Sequence, residues 1–221
     1  MKLVISALTK LIIGLGAIAA LLFAPAGTFN FPGAWRLILI LFIPMILIGI
    51  IFMIWAPETL SRRLRSKEER TKQKGVVAFS GLLFIICFVL AGLDFRFSWC
   101  KMPLWALWAA GSVFIISYGI YAEVMRENEW LSRSIEVAEG QKVISTGLYG
   151  IVRHPMYTAT IGMFLTMPII MGSWWAFLAM IPYIPIITIR VKDEEILLTK
   201  ELEGYVEYKQ KVKWRLIPYI W

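Results

Sequence analysis

The chain has 221 residues, of which 59% are hydrophobic, and its mean hydropathy is +0.70. A soluble domain of this length has too little interior to cover so much apolar surface, so lipid is the solvent that the composition indicates. The net charge of +8 does not indicate nucleic-acid binding, because the basic residues lie between apolar segments and not on one polar domain.

Four apolar segments have the length of a single membrane helix. They are residues 3–23, 35–55, 76–93 and 104–124, each close to the ~20 residues that cross a hydrocarbon core of ~30 Å. The first segment is too long for the apolar part of a signal peptide and lacks a convincing cleavage site, so we expect it to stay in the protein as a membrane helix.

A fifth apolar region, residues 156–189, is longer than one crossing requires. It holds two lengths of 17 residues, divided at the turn signal Gly172-Ser173, and 17 residues is the lower limit for a crossing. We interpret the region as a helical hairpin whose bends need neighbouring helices to satisfy the backbone. Three prolines are expected to bend it, namely Pro168, Pro182 and Pro185.

The distribution of Lys and Arg predicts the orientation. Of the 23 Lys and Arg, 20 lie at the amino end or in segments 56–75, 126–157 and 190–221. By the positive-inside rule, both termini are then cytoplasmic. The prediction is an all-α, polytopic integral membrane protein with about six membrane helices, or four full crossings if the hairpin re-enters. Residues 1–125 would form the amino-terminal membrane helices and residues 126–221 the catalytic region. The opposite side would hold Arg36, Arg96 and Lys101.

Several classes of site are excluded or weakly supported. The one histidine, His154, is expected on the opposite side from Cys100, and Cys87 lies mid-membrane, so no zinc site is predicted. The chain has no Walker loop and no GxGxxG after a strand. No apolar segment carries a row of charges, so a proton-coupled transporter has little support.

The segment 147–157, GLYGIVRHPMY, concentrates unusual residues on the predicted cytoplasmic side. Pro155 is expected to begin the hairpin's first helix, with His154 at its N-cap. The free N–H groups at a helix start form an anion site, to which Arg153 adds a charge. Tyr157 follows on the same face as His154. The alternative interpretation is an interfacial belt of Arg, His and Tyr, which many membrane proteins have.

The segment 190–195, RVKDEE, follows the last apolar region. Arg190 and Glu194 are four residues apart and share one helix face. Three consecutive acids are unusual at a membrane exit, because acids do not favour an anionic leaflet. The alternative is an ion pair on a solvated face. The tail beyond it is expected to form an amphipathic cytoplasmic helix, with apolar positions at Leu198, Leu202, Tyr205 and Val206.

Together the two segments resemble the isoprenylcysteine carboxyl methyltransferase family. The pattern is G-x-Y-x-x-x-R-H-P-x-Y, a helical hairpin, then R-x-x-x-E-E-x-x-L and a Tyr-rich tail ending in Pro. Prokaryotic relatives and the phospholipid methyltransferases share it more loosely. The resemblance covers about residues 139–221, over a third of the chain, and the amino-terminal segments match only as generic membrane helices.

The resemblance implies S-adenosylmethionine as the methyl donor; from the placement of His and Cys above, no metal site is expected. It places Arg190 beside the methyl acceptor, as a substrate-binding residue, and makes Arg190 and Glu194 the expected catalytic residues. It implies cofactor contacts at ten positions, which are Gln141, Lys142, Val143, Ile144, Tyr149, His154, Pro155, Met156, Tyr157 and Glu194.

The expected reaction is methyl transfer to the carboxylate of a lipophilic or prenylated, isoprenylcysteine-like acceptor, with membrane lipid around its tail. Such a carboxylate is already ionised, so catalysis would be mainly alignment and removal of water. A lipid amine is an alternative acceptor. A second alternative is a membrane reductase related to sterol reductases, which uses NADPH; the basic residues that a 2′-phosphate requires would be Lys209, Lys211 and Lys213. A non-catalytic membrane protein is the third.

Overall fold

The computed structural model describes residues 2–64, 71–132, 135 and 137–221. In these ranges the chain is helical, with no strand, which confirms the predicted all-α class. The helices are α1 (Lys2–Ala26), α2 (Pro32–Trp55), α3 (Pro57–Leu64), α4 (Thr71–Phe97), α5 (Leu104–Glu127), a 3₁₀ turn (Gly147–Gly150), α6 (Pro155–Met171), α7 (Trp174–Met180), α8 (Tyr183–Glu201) and α9 (Tyr205–Lys211).

Within the described ranges, six apolar helical segments correspond to the six membrane helices that the sequence predicts. Five of them are long and apolar enough to span a membrane by length and composition, and α6 is a shorter apolar helix of 17 residues. At ~1.5 Å per residue, α6 rises ~26 Å, close to a hydrocarbon core of ~30 Å. The five spans are Leu3–Ala26, Pro32–Trp55, Gln73–Phe97, Leu104–Glu127 and Trp174–Glu201. The chain is therefore a multi-pass integral membrane protein.

Contacts between helix ends show that the segments alternate in direction. Near the start of α2, the Arg36 Nε donates a hydrogen bond to the Ile170 carbonyl at the end of α6, at 3.2 Å. At the other end of the bundle, Gln73 near the start of α4 donates from Nε2 to Asp193 Oδ2 on α8, at 2.6 Å. We call this second end the pocket end. That the pocket end faces the cytoplasm stays a prediction, which rests on the distribution of Lys and Arg along the sequence. Residues 65–70, which belong to the basic segment 56–75, lie outside the described ranges.

The predicted hairpin turn is present at Gly172. This residue ends α6 with a positive φ of 93°, a conformation that favours glycine. Its N–H donates to the Ile169 carbonyl, and the Ser173 N–H donates to the Pro168 carbonyl. These two bonds satisfy carbonyls at the end of the helix and turn the chain back into α7.

The three prolines of the hairpin act at different points. Pro182 lies at the N-cap of α8 and separates α7 from α8. Pro185 falls in the first turn of α8, and Pro168 in the last turn of α6. In the first turn of α8 the N–H that Pro185 lacks would have had no helical partner, so this proline costs little. Pro168 lies inside α6, where it removes the backbone bond to the carbonyl four residues before it. The cytoplasmic helix predicted for the tail is shorter than expected, because α9 has only seven residues and the chain beyond it is irregular.

Close packing of α5 against α6 positions the pocket end. A Cβ added at Gly162 on α6 would lie 2.2 Å from Ser117 Oγ on α5, so the two backbones approach closely. Phe114 on α5 and Met163 on α6 are buried in the surrounding core. The end of α5 and the start of α6 are thereby held side by side, and both contribute to the pocket.

Candidate active site

A pocket opens at the pocket end between the end of α5, the segment that follows it, the start of α6, and α8. Nine of the ten predicted cofactor positions line it, as does Arg190. The nine are Gln141, Lys142, Val143, Ile144, Tyr149, His154, Met156, Tyr157 and Glu194. Pro155 is not in the lining; it occupies the first turn of α6, as predicted, and its ring starts the helix. The structure thus brings these residues together, while their roles stay predictions.

Arg190 and Glu194 are linked through the hydroxyl of Tyr157. The Tyr157 hydroxyl donates to Glu194 Oε2 at 2.5 Å, and the Arg190 Nε donates to the same hydroxyl at 3.0 Å. Tyr157 is buried, whereas Arg190 and Glu194 are half-buried. The predicted shared face of α8 is therefore confirmed, and a residue of α6 fixes both side chains.

Gln73 on α4 also fixes Arg190, which the sequence did not indicate. The Arg190 Nη1 donates to Gln73 Oε1 at 3.2 Å, and Gln73 Nε2 donates to Asp193 Oδ2. Gln73 is fully buried. Because its amide is both donor and acceptor, it joins the cation and the acid of α8 without carrying a charge itself.

Glu195 forms a second cluster of charges beside the pocket. Its Oε1 accepts from Arg153 Nε at 2.7 Å, its Oε2 accepts from Arg215 Nε at 2.8 Å, and His154 Nε2 lies 3.4 Å from Oε1. Glu195 is 4% exposed and Arg153 is also buried. A carboxylate out of water needs such partners. Glu195 lies 41 residues beyond His154 along the chain, so only the fold brings the two together.

The irregular tail closes over the start of α6. The backbone N–H groups of Arg153 and His154 donate to the carbonyls of Trp214 and Arg215, each at 2.9 Å. The Arg153 Nη1 donates to two further carbonyls of the tail, at 2.7 and 2.8 Å. The expected role of Arg153 in an anion site is not what the geometry shows: its charge is directed to Glu195 and to the tail.

Two tyrosines hold the floor of the pocket. The Tyr149 hydroxyl accepts from Asn128 Nδ2 at 2.9 Å, and the Tyr208 hydroxyl donates to the Tyr149 carbonyl at 2.7 Å. Burial raises the pKa of both phenols above the ordinary value, so both stay neutral at physiological pH. Asn128 and Tyr208 both line the pocket. Tyr208 belongs to the Tyr-rich tail of the sequence pattern, whereas no motif in the sequence indicated Asn128.

Metal ligands are not grouped in the part of the chain that the structure describes. Within the described ranges, no three His, Cys, Asp or Glu side chains are placed to hold an ion. His154 lies at the pocket end, while Cys100 contacts Asp94 at the other end, with Sγ 2.9 Å from Oδ2.

Comparison with known proteins found a family match and a curated relative. Residues 105–203 match the model of the phospholipid methyltransferase family, an interval that includes the start of α6 and all of α8. A Delta(14)-sterol reductase of Methylotuvimicrobium alcaliphilum is 24% identical over 142 residues, which cover 54% of this chain and 32% of the reductase. The chain thus spans about a third of the length of this curated relative. Over residues 105–203 the chain is similar to the phospholipid methyltransferases, and this match supports a membrane methyltransferase.

Proposed function

We propose that the chain is an S-adenosylmethionine-dependent methyltransferase that methylates the carboxylate of a lipophilic, isoprenylcysteine-like acceptor. The observation that carries the proposal is the linkage of Arg190 and Glu194 through Tyr157 at one pocket, which joins a candidate acceptor residue to a candidate cofactor residue. The match of residues 105–203 to the phospholipid methyltransferases supports the reaction class.

The chemistry of the pocket fits this cofactor. S-adenosylmethionine supplies an electrophilic methyl group on a sulfonium and carries an ammonium, a carboxylate and a ribose diol. Glu194 accepts from an ammonium or from ribose hydroxyls, and Lys142 offers a cation to a carboxylate. Tyr149 and Tyr157 offer aromatic rings, which suit both a purine and a cationic sulfur.

Arg190 lies where an acceptor from the bilayer would arrive. It follows Trp174 by sixteen residues in the span Trp174–Glu201. At ~1.5 Å per residue these rise at most ~24 Å, since α7 and α8 are separate helices, and this supports a position toward the edge of a core of ~30 Å. Tyr157 and Gln73 orient its guanidinium. A planar guanidinium binds a carboxylate by two parallel bonds. Arg190 would then hold the acceptor oxygen in line with the methyl group while lipid surrounds the acceptor's tail.

The pocket end is proposed to face the cytoplasm, with both termini on that side. Arg36, Arg96 and Lys101 belong to the other end of the bundle, as the alternation of the helices requires. The other 20 Lys and Arg lie at the amino end of the sequence or in segments 56–75, 126–157 and 190–221, and such an excess is typical of cytoplasmic loops.

Replacement of Arg190 by lysine is expected to lower kcat/KM for a carboxylate acceptor by about 10- to 100-fold, because the charge stays but the two-pronged contact is lost. Affinity for S-adenosylmethionine should change little. The measurement is a steady-state methylation assay on detergent-purified protein. Arg126→Lys is the matched control, since Arg126 is 70% exposed and lies outside the pocket lining. If Arg190→Lys loses cofactor affinity and turnover equally, Arg190 would bind the methyl donor and not the acceptor.

An NADPH-dependent reductase is the second candidate, favoured by the match to the Delta(14)-sterol reductase. The geometry gives it less support. Lys209, Lys211 and Lys213 do not line the pocket, and Glu194 would repel a phosphate there. Equilibrium binding of labelled S-adenosylmethionine and of NADPH to the purified protein tests the choice. We expect saturable binding of the first only; saturable binding of NADPH alone would overturn the proposal.

A lipid amine is the other candidate acceptor, favoured by the description of the matching family. The two acceptors differ in pH dependence. A carboxylate stays ionised well above a pKa of ~4, so its methylation rate should vary little between about pH 6 and 9. An amine must first lose a proton, so its rate should rise about tenfold per pH unit below its pKa. We expect a flat profile for initial rates at saturating cofactor; a tenfold slope would indicate the amine.

A further inference from the structure

The hydroxyl of Tyr205 on α9 is a buried polar group without a visible partner. Tyr205 is 3% exposed. Among the described residues, every other buried side-chain nitrogen or oxygen has a hydrogen-bond partner, but the Tyr205 hydroxyl oxygen has none. The neighbouring Tyr208, on the same helix, donates to the Tyr149 carbonyl. Buried hydroxyls in folded proteins nearly always have a partner, so an exception at a pocket points to a ligand.

Tyr205 lines the pocket within a cluster of apolar side chains. Its neighbours in that cluster include Val143, Leu198 and Leu202. Leu198 follows Arg190 on α8 by about two turns, or ~12 Å along the helix axis, and Leu202 is the residue that caps the end of α8. The pocket therefore has charged groups at Arg190 and Glu194, and an unsatisfied hydroxyl that lies among apolar side chains within electrostatic reach of Glu194.

The Tyr205 hydroxyl stays protonated. Burial raises its pKa well above the ordinary value, and the carboxylates of Glu195 and Glu194 raise it further. Glu195 already accepts from Arg153 and Arg215. At physiological pH, the Tyr205 hydroxyl is thus a neutral hydrogen-bond donor, and no acceptor for it is found among the described residues.

We propose that Tyr205 donates a hydrogen bond to a ring nitrogen of the cofactor's adenine and so anchors the nucleoside end of the cofactor. The assignment rests on the proposed function. Adenine has apolar faces, which suit Val143, Leu198 and Leu202, and acceptor nitrogens on its edge. The amino-acid end of the cofactor is charged and matches Glu194 and Lys142 at other positions of the lining.

Replacement of Tyr205 by phenylalanine tests the assignment with two readouts. We expect affinity for labelled S-adenosylmethionine to fall about tenfold, because one hydrogen bond is lost. The unliganded protein should instead melt at a higher temperature, because an unsatisfied hydroxyl has been removed. Tyr208→Phe is the matched control: it removes a satisfied hydroxyl three residues further along the same helix and should lower the melting temperature.

Two competing ligands identify the end of the cofactor that Tyr205 holds. S-adenosylhomocysteine has both ends, whereas 5′-methylthioadenosine lacks the amino-acid end. We expect Tyr205→Phe to weaken displacement of the labelled cofactor by both ligands about tenfold. A loss with S-adenosylhomocysteine alone, or with neither, overturns the assignment while the proposed function stands. Failure of the wild-type protein to bind S-adenosylmethionine overturns the proposed function and this assignment with it.

Discussion

Replacement of Glu195 by alanine is expected to lower the free energy of unfolding by about 3–5 kcal/mol, the cost of breaking a buried ion pair. Glu195 accepts from Arg153 and Arg215 and lies beside His154. Without this carboxylate, the buried Arg153 keeps its charge and its bonds to the tail but loses its counter-ion. The tail and the start of α6 should loosen together, because Arg153 holds both.

Thermal unfolding of the detergent-purified variant measures this effect. Glu201→Ala is the matched control, because Glu201 is an exposed acid near the end of the same helix, and a change there should stay within about 0.5 kcal/mol. Arg215→Ala should cost less than Glu195→Ala, since the Arg215 side chain is 32% exposed and water can replace part of its contact. A Glu195→Ala protein that melts with the wild type would contradict the role of this cluster.

Replacement of Glu194 by glutamine is expected to weaken S-adenosylmethionine binding about 100-fold, the upper range for a hydrogen bond to a charged group. Glutamine keeps the size of the side chain and still offers an oxygen to the Tyr157 hydroxyl, which donates to Glu194 at 2.5 Å. The loss is therefore specific to the negative charge that would meet the ammonium or the ribose hydroxyls. Equilibrium binding of the labelled cofactor measures it.

Glu201→Gln is the matched control, because it removes a negative charge from the same helix without changing the pocket. Glu201 lies on α8 but outside the pocket lining, so Glu201→Gln should bind the cofactor like the wild type. Melting temperatures of both variants should remain near that of the wild type, because an exposed or half-exposed ion contact contributes only ~0–1 kcal/mol. Unchanged affinity in Glu194→Gln would remove Glu194 from the cofactor site.

Local patterns predicted the features that depend on neighbours in the chain. The turn at Gly172, the start of α6 at Pro155, and the common face of Arg190 and Glu194 all follow from spacing or from residue type. The lengths of the apolar segments predicted the crossings, because the thickness of the bilayer sets them.

The three consecutive acids show what the sequence could not resolve. A helix turns about 100° per residue, so neighbouring side chains on α8 point in three directions. Asp193 faces Gln73 on α4, Glu194 faces Tyr157 in the pocket, and Glu195 faces the Arg153 cluster. The sequence identified the run as unusual, but assigning each acid required the positions of helices distant along the chain.

Gln73 and Tyr205 were missed for the same reason. Gln73 stands in a basic segment between two spans and becomes a buried link only because α4 packs against α8. Tyr205 looks like an ordinary apolar position of an amphipathic helix, and its unsatisfied hydroxyl is visible only with the surrounding residues in place. Gln73 carries no local signal. The Tyr-rich tail of the sequence pattern includes Tyr205, but the role of its hydroxyl depends on tertiary contacts.

The proposed reaction is tested most directly by identifying the methylated product. Purified protein is incubated with methyl-labelled S-adenosylmethionine and either a prenylcysteine analogue or an amino-phospholipid, and the label is followed into each. We predict label in the prenylcysteine analogue as a base-labile methyl ester, with transfer strongly reduced in Arg190→Lys. Base-stable label on the nitrogen of the phospholipid, with Arg190→Lys as active as the wild type, would contradict the proposed acceptor and the role of Arg190.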